Sequence, residues 1–330
     1  MRSRSRSVSL TDTNISTVSF DPFADVIATV RGLPPRTVAI TWPHSIDALE
    51  AALEARDRCG VEPLLVGDPA KIRAILGELG VADPPRIVAA RSDVEAASAA
   101  VALVRGGQAD ILMKGHLHSD DFLRPILHKE TGLRTNRLMS HVFACAVPSS
   151  IYHKTLYVTD GAFNIAPGLV EKRSIVQNAI DFVRLLGCTR PKVAVLAAVE
   201  SVNPAMMASI DAAALAKMAE RGQITGGIVD GPLAFDNAIS LQSAQAKGIA
   251  SPVAGDPDIL LVPTIETGNV MYKQLVYFSG AIAPGIILGA SAPILLMSRN
   301  EPAAARMAAI AIAALIAGRK DGASRDGAAT

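Results

Sequence analysis

Short apolar segments alternate with helical patterns along almost the whole chain, and this alternation constrains the fold more than any other feature. Several of the segments, such as VAVLAAV and ILLV, are apolar throughout, which is typical of strands buried on both faces. The alternation predicts an α/β fold with mainly parallel sheets and helices on both sides. The expected strands are residues 37–41, 63–66, 86–89, 111–113, 141–147, 156–159, 193–198, 227–229, 259–262, 285–288 and 294–297.

The segments between the expected strands have apolar residues at the spacings of three and four that indicate amphipathic helices. The clearest helix covers 168–186 and is expected to end at Gly187. Another is expected to begin at Ser92, because Glu95 follows three residues later as in a capping box. The last helix is expected over 302–317, followed by a frayed polar tail.

The length of 330 residues exceeds the size at which one hydrophobic core stops growing. We therefore expect two α/β lobes with a cleft between them. Residues 1–20 are basic and rich in Ser, without the apolar stretch of a signal peptide, and are expected to form a flexible arm.

Charge and cysteine content exclude several classes of protein. The 32 Lys and Arg residues nearly balance the 31 Asp and Glu residues, so a nucleic-acid or anionic-membrane surface is not expected, and local cations must bind any anion. Three widely spaced cysteines without a CxxC pair indicate a reducing compartment. No apolar run reaches the ~20 residues of a membrane span. We expect a cytoplasmic protein.

The common nucleotide and hydrolase motifs are missing from the sequence. It contains no GxxxxGK[ST] phosphate loop and no GxGxxG turn, which argues against nucleotide hydrolases and Rossmann dehydrogenases. It also contains neither HExxH nor GxSxG, the marks of zinc peptidases and serine hydrolases.

Ser298 and Arg299 directly follow the expected last strand. Residues at the carboxyl end of such a strand project into the crevice where open α/β sheets bind ligands. A guanidinium can hold a phosphate in bidentate fashion, and a hydroxyl can donate to a developing oxyanion. The alternative is that Ser298 caps the helix that follows, and the two roles are compatible.

Two further groups of polar residues follow strands. Lys114 and His116 are expected at the carboxyl edge of strand 111–113, facing the cleft. His116 and His118 lie two residues apart, but no third metal ligand is near in sequence, so we expect no metal. Asn269 and Lys273 are expected to open a helix whose N-terminus forms a phosphate site, the alternative being a solvent-facing Lys273.

From about residue 109 to 317, and most specifically over 224–277, the sequence resembles the phosphate acetyl/butyryltransferase family, with segment 224–277 nearer its butyryl branch. The resemblance implies two lobes like those of the isocitrate/isopropylmalate dehydrogenase superfamily. The first lobe would comprise 21–147 and 290–330, and the second 148–289. It also implies a homodimer, with coenzyme A and inorganic phosphate as substrates and no resident cofactor.

The resemblance also suggests roles for individual residues. It places Ser298 and Arg299 in the catalytic site and makes Arg137 an anion-binding residue, the alternative for Arg137 being a solvent-facing Arg at the start of a strand. Asp160 and Asn164 match a family pattern of an Asp that ends a strand and an Asn before a Pro. Arg124 lies in a similar Leu-Arg-Pro segment, although a surface salt bridge is an equal alternative for it.

At two positions the chain departs from the acetyl-specific members. Gly161 replaces a frequent Cys, which excludes a thioester at that position and fits direct transfer in a ternary complex. Ala305 occupies the position of the presumed catalytic Asp, and Glu301 is the replacement we expect, its alternative being a helix-dipole Glu.

The resemblance implies the reaction acyl-CoA + phosphate = acyl phosphate + CoA, with an acyl chain length that the sequence leaves open. One alternative is a metal-dependent oxidoreductase of the same superfamily, acting on a phosphorylated hydroxy compound through His116, His118 and Asp120. Another is a non-catalytic module that binds coenzyme A or phosphate, which the missing acid at Ala305 leaves possible.

Overall fold

A computed structural model describes residues 20–148, 152–297 and 301–326. Its strands are Thr37–Thr41 (β1), Glu62–Gly67 (β2), Arg86–Ala89 (β3), Ile111–Lys114 (β4), Ser140–Cys145 (β5), Leu156–Thr159 (β6), Lys192–Leu196 (β7), Ile228–Leu233 (β8), Ile259–Leu261 (β9), Gly285–Leu288 (β10) and Ile294–Leu295 (β11). Its helices are Ala24–Arg31 (α1), Ile46–Cys59 (α2), Pro69–Glu78 (α3), Asp93–Arg105 (α4), Ser119–Leu127 (α5), Leu169–Leu185 (α6), Met207–Glu220 (α7), Phe235–Ile239 (α8), Leu241–Ala246 (α9), Ile265–Ser279 (α10) and Ala303–Asp326 (α11). Each predicted strand is present.

The described strands form one sheet in the order β3-β2-β1-β4-β11-β10-β5-β6-β9-β7-β8. Most neighbours are parallel, which confirms the predicted mainly parallel α/β fold. The antiparallel pairs lie in the middle, where β10 runs against β11 and β5, and β5 runs against β6. Only residues 289–293 join β10 to β11, and Gly289 has a φ of 84°, so this connection is a tight turn.

The helices cover the two faces of the sheet unequally. On the back face, α1, α2, α3, α6, α7 and α11 pack into one apolar cluster that extends across the sheet and includes Ile40, Met113 and Val142. On the front face there are two separate clusters. The first lies under α4 and α5 and includes Leu112 and Ile287, and the second lies under α8, α9 and α10. The candidate site lies between the two front clusters, and this interval is called the groove below.

The helix ends agree with the local sequence. Ser92 Oγ accepts a hydrogen bond from the Glu95 backbone N–H at 3.1 Å, as predicted for the start of α4. The helix predicted over 168–186 is α6. The prediction of a frayed tail after residue 317 was wrong, because α11 continues to Asp326.

The rest of the predicted domain organisation stays a prediction. Residues 1–19 of the expected arm lie outside the described residues. The sheet and the back cluster include residues from both predicted lobes.

Candidate active site

The floor of the groove is a row of residues from neighbouring strands. Thr41 of β1 pairs with Lys114 of β4, and Gly285 of β10 pairs with Phe143 of β5. Extension of the β11 register by one residue places Leu296 between Lys114 and Gly285. Residues two apart share a face of a strand, and Ala39, Leu112 and Ile287 belong to a front cluster. Thr41, Lys114 and Gly285 therefore lie on the front face.

Three aromatic rings cross this floor in sequence. Tyr272 of α10 stacks on Phe143, with ring centroids 3.8 Å apart, and Phe143 lies 4.3 Å from the ring of His141. Gly285 provides the space for the imidazole, because a Cβ there would lie 2.8 Å from His141 Nε2. Burial holds the pKa of His141 well below its ordinary value, while the negative charge of Asp160 opposes that shift in part. The groove thus contains a buried neutral imidazole whose Nδ1 has no partner among the described residues.

Asp160 anchors the wall at the end of β6. One carboxylate oxygen accepts hydrogen bonds from the backbone N–H groups of Ala162 and Phe163, at 3.0 and 2.9 Å. The other accepts from the N–H of His141 at 3.0 Å and from the Asn164 side chain at 2.7 Å. Asn164 also donates to the Met139 carbonyl at 3.0 Å. Both predicted residues therefore hold loop 160–164 against the start of β5.

Helix α10 approaches this wall closely at two glycines. A Cβ on Gly268 would lie 2.7 Å from Gly161 Cα, so a larger residue at either position would push the helix away. Asn269 Nδ2 donates to the Gly161 carbonyl at 3.3 Å, which makes it a second anchor. The helix begins at Ile265 and not at Gly268, so Asn269 and Lys273 do not open it as we expected. Lys273 is exposed.

Glu301 lies two residues before the start of α11. The residue is 8% exposed, and its carbonyl accepts a hydrogen bond from Arg306 Nη1 at 2.8 Å. Burial, and after it the charge of Glu301, raise the pKa of Tyr272 to about 12, so the carboxylate acts electrostatically on the phenol. Ala305 is 2% exposed within α11.

The remaining cations differ in their surroundings. Lys114 is 7% exposed at the carboxyl end of β4, as predicted, whereas His116 is exposed on the turn that follows. The Arg124 side chain is 70% exposed and pairs with Asp121 at 3.5 Å, which is the alternative that we gave for it. Arg137 forms an ion pair with Asp181 of α6 and lines a small cavity beside the β10–β11 turn. The structure therefore brings Lys114 into the groove, but not Arg124 or Arg137.

Ser298 and Arg299, the predicted catalytic pair, lie outside the described residues. The predicted roles of the pair stay predictions.

Sequence reasoning missed His141, Phe143 and Tyr272, the rings on the floor. His141 is a titratable residue inside an otherwise apolar strand, which is the one local signal that was present. Tyr272 and Phe143 look like ordinary core residues in sequence, and only the register of β5 with β10 and the position of α10 place them in the groove.

Neither a metal-ligand cluster nor a membrane-spanning helix is found among the described residues. No three His, Cys, Asp or Glu side chains are grouped so that they could hold a metal ion, and this includes the set of His116, His118 and Asp120. Among residues 20–148, 152–297 and 301–326, no helix has both the length and the apolar character needed to cross a bilayer.

The known proteins that this chain resembles are named for the same kind of reaction. Residues 86–314 match the family described as phosphate acetyl/butaryl transferase. A phosphate acetyltransferase of Rhizobium meliloti is 45% identical over 302 residues, covering 89% of this chain and 93% of the relative. A phosphate butyryltransferase of Clostridium acetobutylicum is 42% identical over 299 residues, covering 90% and 99%.

A solved structure agrees with these sequence matches. The crystal structure of a branched-chain phosphotransacylase from Enterococcus faecalis superposes with a TM-score of 0.76 at 30% identity, covering 86% of this chain and 99% of that one. The identities to the acetyl-named and butyryl-named relatives differ by too little to separate the two branches.

Proposed function

We propose that this chain, which belongs to the phosphate acetyl/butyryl transferase family, exchanges a short acyl group between coenzyme A and inorganic phosphate. The reaction is acyl-CoA + phosphate = acyl phosphate + CoA. The observation that carries the proposal is the likeness, over nearly the whole chain, to relatives named for both acetyl and butyryl transfer.

In the proposed mechanism, Glu301 accepts the proton of the coenzyme A thiol. A free thiol has a pKa of about 8.5, so a base is needed to form thiolate at neutral pH. The burial of Glu301 and its electrostatic effect on Tyr272 support this choice of residue.

The thiolate sulfur then attacks the carbonyl carbon of the acyl phosphate. A C–S bond forms, Ser298 donates a hydrogen bond to the oxyanion, and the C–O bond to phosphate breaks as the oxyanion collapses. Arg299 holds the departing phosphate. Gly161 offers no nucleophile at its position, in agreement with direct transfer within a ternary complex.

Lys114 is the second cation of the proposed phosphate site, because it is buried in the floor in the same row as Gly285. Arg137 is proposed as a further phosphate ligand, a role that requires it to leave Asp181. Asp160, Asn164 and Asn269 contribute by fixing the wall of the site. Arg124 and Lys273 are proposed to meet the substrate only at its solvent-facing end.

The alternatives have less support than the transferase. The relatives are named as acyltransferases, and none of the observations above favours an oxidoreductase. The buried Glu301 supplies an acid near the position where Ala305 had left the catalytic role in doubt, which favours an enzyme over a binding module.

We propose that the enzyme is a cytoplasmic homodimer. The described cysteines are free thiols, as in a reducing compartment. Helix α10 exposes Val270, Tyr277 and Phe278 by 65%, 74% and 89%, an apolar surface suited to a second copy of the chain. Light scattering should give twice the monomer mass, and Phe278→Glu should reduce it; a monomeric wild-type protein would contradict this part of the proposal.

The test of the function is a thiol assay with acetyl, propionyl and butyryl phosphate. The purified chain should consume the coenzyme A thiol and release one phosphate for each thioester formed. The relative rates of the three donors then give the acyl preference. No thiol consumption with any of them would refute the proposed function.

A further inference from the structure

The strand order reverses between β1 and β4, which makes this point a topological switch point of the sheet. From β1 the chain passes through α2 and α3 on the back face to β2 and β3, and it then returns through α4 on the front face to β4. In open α/β sheets, ligands bind outside the carboxyl ends of the strands where the order reverses in this way. None of the catalytic roles proposed above uses the residues that follow β1.

The first of these residues, Trp42, is held in an unusual backbone conformation. Among the described residues it is the one non-glycine residue with a positive φ, 55°. Its N–H donates to the Val66 carbonyl at 2.7 Å, and its own carbonyl accepts from the N–H groups of His44 and His116, both at 2.9 Å. A bulky residue rarely adopts this conformation without a functional reason. The result is a half-buried indole at the mouth of the switch point.

His44 lies against this indole, with ring centroids 3.8 Å apart. Its Nε2 accepts a hydrogen bond from the Asp68 N–H at 3.0 Å, so the ring proton is on Nδ1. Burial lowers the pKa of His44, and the charge of Lys71 lowers it further, while Asp68 opposes both effects. Gly67 is required beside the ring, since a Cβ there would lie 2.7 Å from Nε2. His44 is thus a fixed, neutral donor.

Basic side chains lie near the two rings. Lys71 acts electrostatically on His44, His116 does so from the β4 side, and Lys114 is buried at the adjacent strand end. The nearest acid, Asp68, is used as the N-cap of α3, where its carboxylate accepts from the Ala70 N–H at 2.9 Å. Thr41 Oγ1 is buried without a hydrogen-bond partner among the described residues. Rings, a fixed donor and cations together suit a phosphorylated aromatic ligand.

We propose that Trp42 and His44 form the site for the nucleotide end of coenzyme A, with the adenine against the indole and its phosphates near Lys71 and His116. This assignment rests on the proposed function and adds a subsite to it. Two strand spacings of about 4.8 Å separate β1 from β11, so an extended pantetheine arm can run from Trp42 to the end of β11. The nucleotide would thus bind at the switch point and the thiol beside Glu301.

The chain contains a single tryptophan, so its fluorescence reports on this site alone. Adenosine 3′,5′-bisphosphate should change the emission of the wild-type protein in a saturable way and should compete with coenzyme A. Pantetheine and inorganic phosphate should leave the emission unchanged. The same emission change with inorganic phosphate alone would overturn the proposal, because the site would then recognise an anion and not a nucleotide. This titration needs no catalysis, so it is informative even if the proposed reaction fails.

A kinetic comparison tests the same site through substrate choice. Base stacking on an aromatic ring contributes about 1–3 kcal/mol, so Trp42→Leu should raise the KM for coenzyme A roughly 10-fold or more. With pantetheine as acceptor, the variant and the wild type should have equal kcat/KM. Trp42→Phe, which keeps a ring, should lie between them. Equal losses with coenzyme A and pantetheine would show that Trp42 only supports the fold, and would overturn the proposal while leaving the transferase activity established.

Discussion

The backbone N–H of His141, at the start of β5, donates to Asp160 Oδ2 at 3.0 Å, at the end of β6. This one contact ties the wall of the groove to its floor. Asp160 is 2% exposed. Its carboxylate also accepts hydrogen bonds from Ala162, Phe163 and Asn164, so its lone pairs are used inside the protein. Asp160 is therefore an organiser of the site and not its general base.

Asp160→Asn should destabilise the fold even though the two side chains have nearly the same shape. An amide would direct N–H groups at backbone N–H donors, leaving buried donors unsatisfied at a cost of about 2–3 kcal/mol. Asn164→Ala is the matched control, because it removes side-chain N–H donors without directing an N–H at another donor. It should lower the free energy of unfolding by about 1 kcal/mol. Urea unfolding measures both. Equal losses in the two variants would contradict the role given to the carboxylate.

The buried His141 should make stability depend on pH. Burial lowers the pKa of the folded ring from 6.5 to about 4, so between these values the unfolded chain binds a proton that the folded chain excludes. Stability should therefore fall as the pH drops from 6.5 towards 4. His141→Gln should reduce the loss between pH 7 and pH 5 by about 1–2 kcal/mol. Denaturant midpoints with the same pH dependence in both proteins would show that the ring is charged in the folded state.

Glu301→Gln should lower kcat about 10²–10⁴-fold at pH 7, the range for loss of a general base. The variant should regain part of its rate as the pH approaches 9, because the thiol then ionises without help. Tyr272→Phe keeps the ring stack and should retain the wild-type pH profile. A uniform loss for Glu301→Gln at every pH would mark it as a residue that only supports α11.

Substitutions of Arg137 and Asp181 test whether the ion pair between these two residues opens during the reaction. If Arg137 binds phosphate, Arg137→Gln should raise the KM for phosphate about 10-fold with a smaller change in kcat, in line with loss of one charge-assisted contact. Asp181→Asn frees the guanidinium and should not raise that KM. An unchanged KM in Arg137→Gln would leave the residue with the structural role of fastening the loop to α6.

Local patterns predicted the strands well because most are short, largely buried apolar segments, as in the strand that ends at Leu196. The antiparallel centre was not predicted. It depends on the short β10–β11 turn at Gly289, and turn length is weak evidence when the partner strand is unknown. The start of α10 was also predicted too late. The prediction began the helix at Gly268, whereas its first turn begins at Ile265.

The candidate site was predicted only in part, for a physical reason. Residues at strand ends, such as Lys114 and Asp160, can be found in sequence because the end of a strand is a local property. The floor is different. His141 and Tyr272 come together through sheet register and helix packing over distances of more than 100 residues, which no local pattern encodes.

The central claim is direct transfer between two bound substrates, and exchange of labelled inorganic phosphate into acyl phosphate tests it most directly. Because no acyl-enzyme forms in the proposed mechanism, the purified chain should catalyse this exchange only when coenzyme A is present, and Ser298→Ala should slow it about 10²–10³-fold. Exchange at a comparable rate without coenzyme A would reveal a covalent intermediate and would contradict the account.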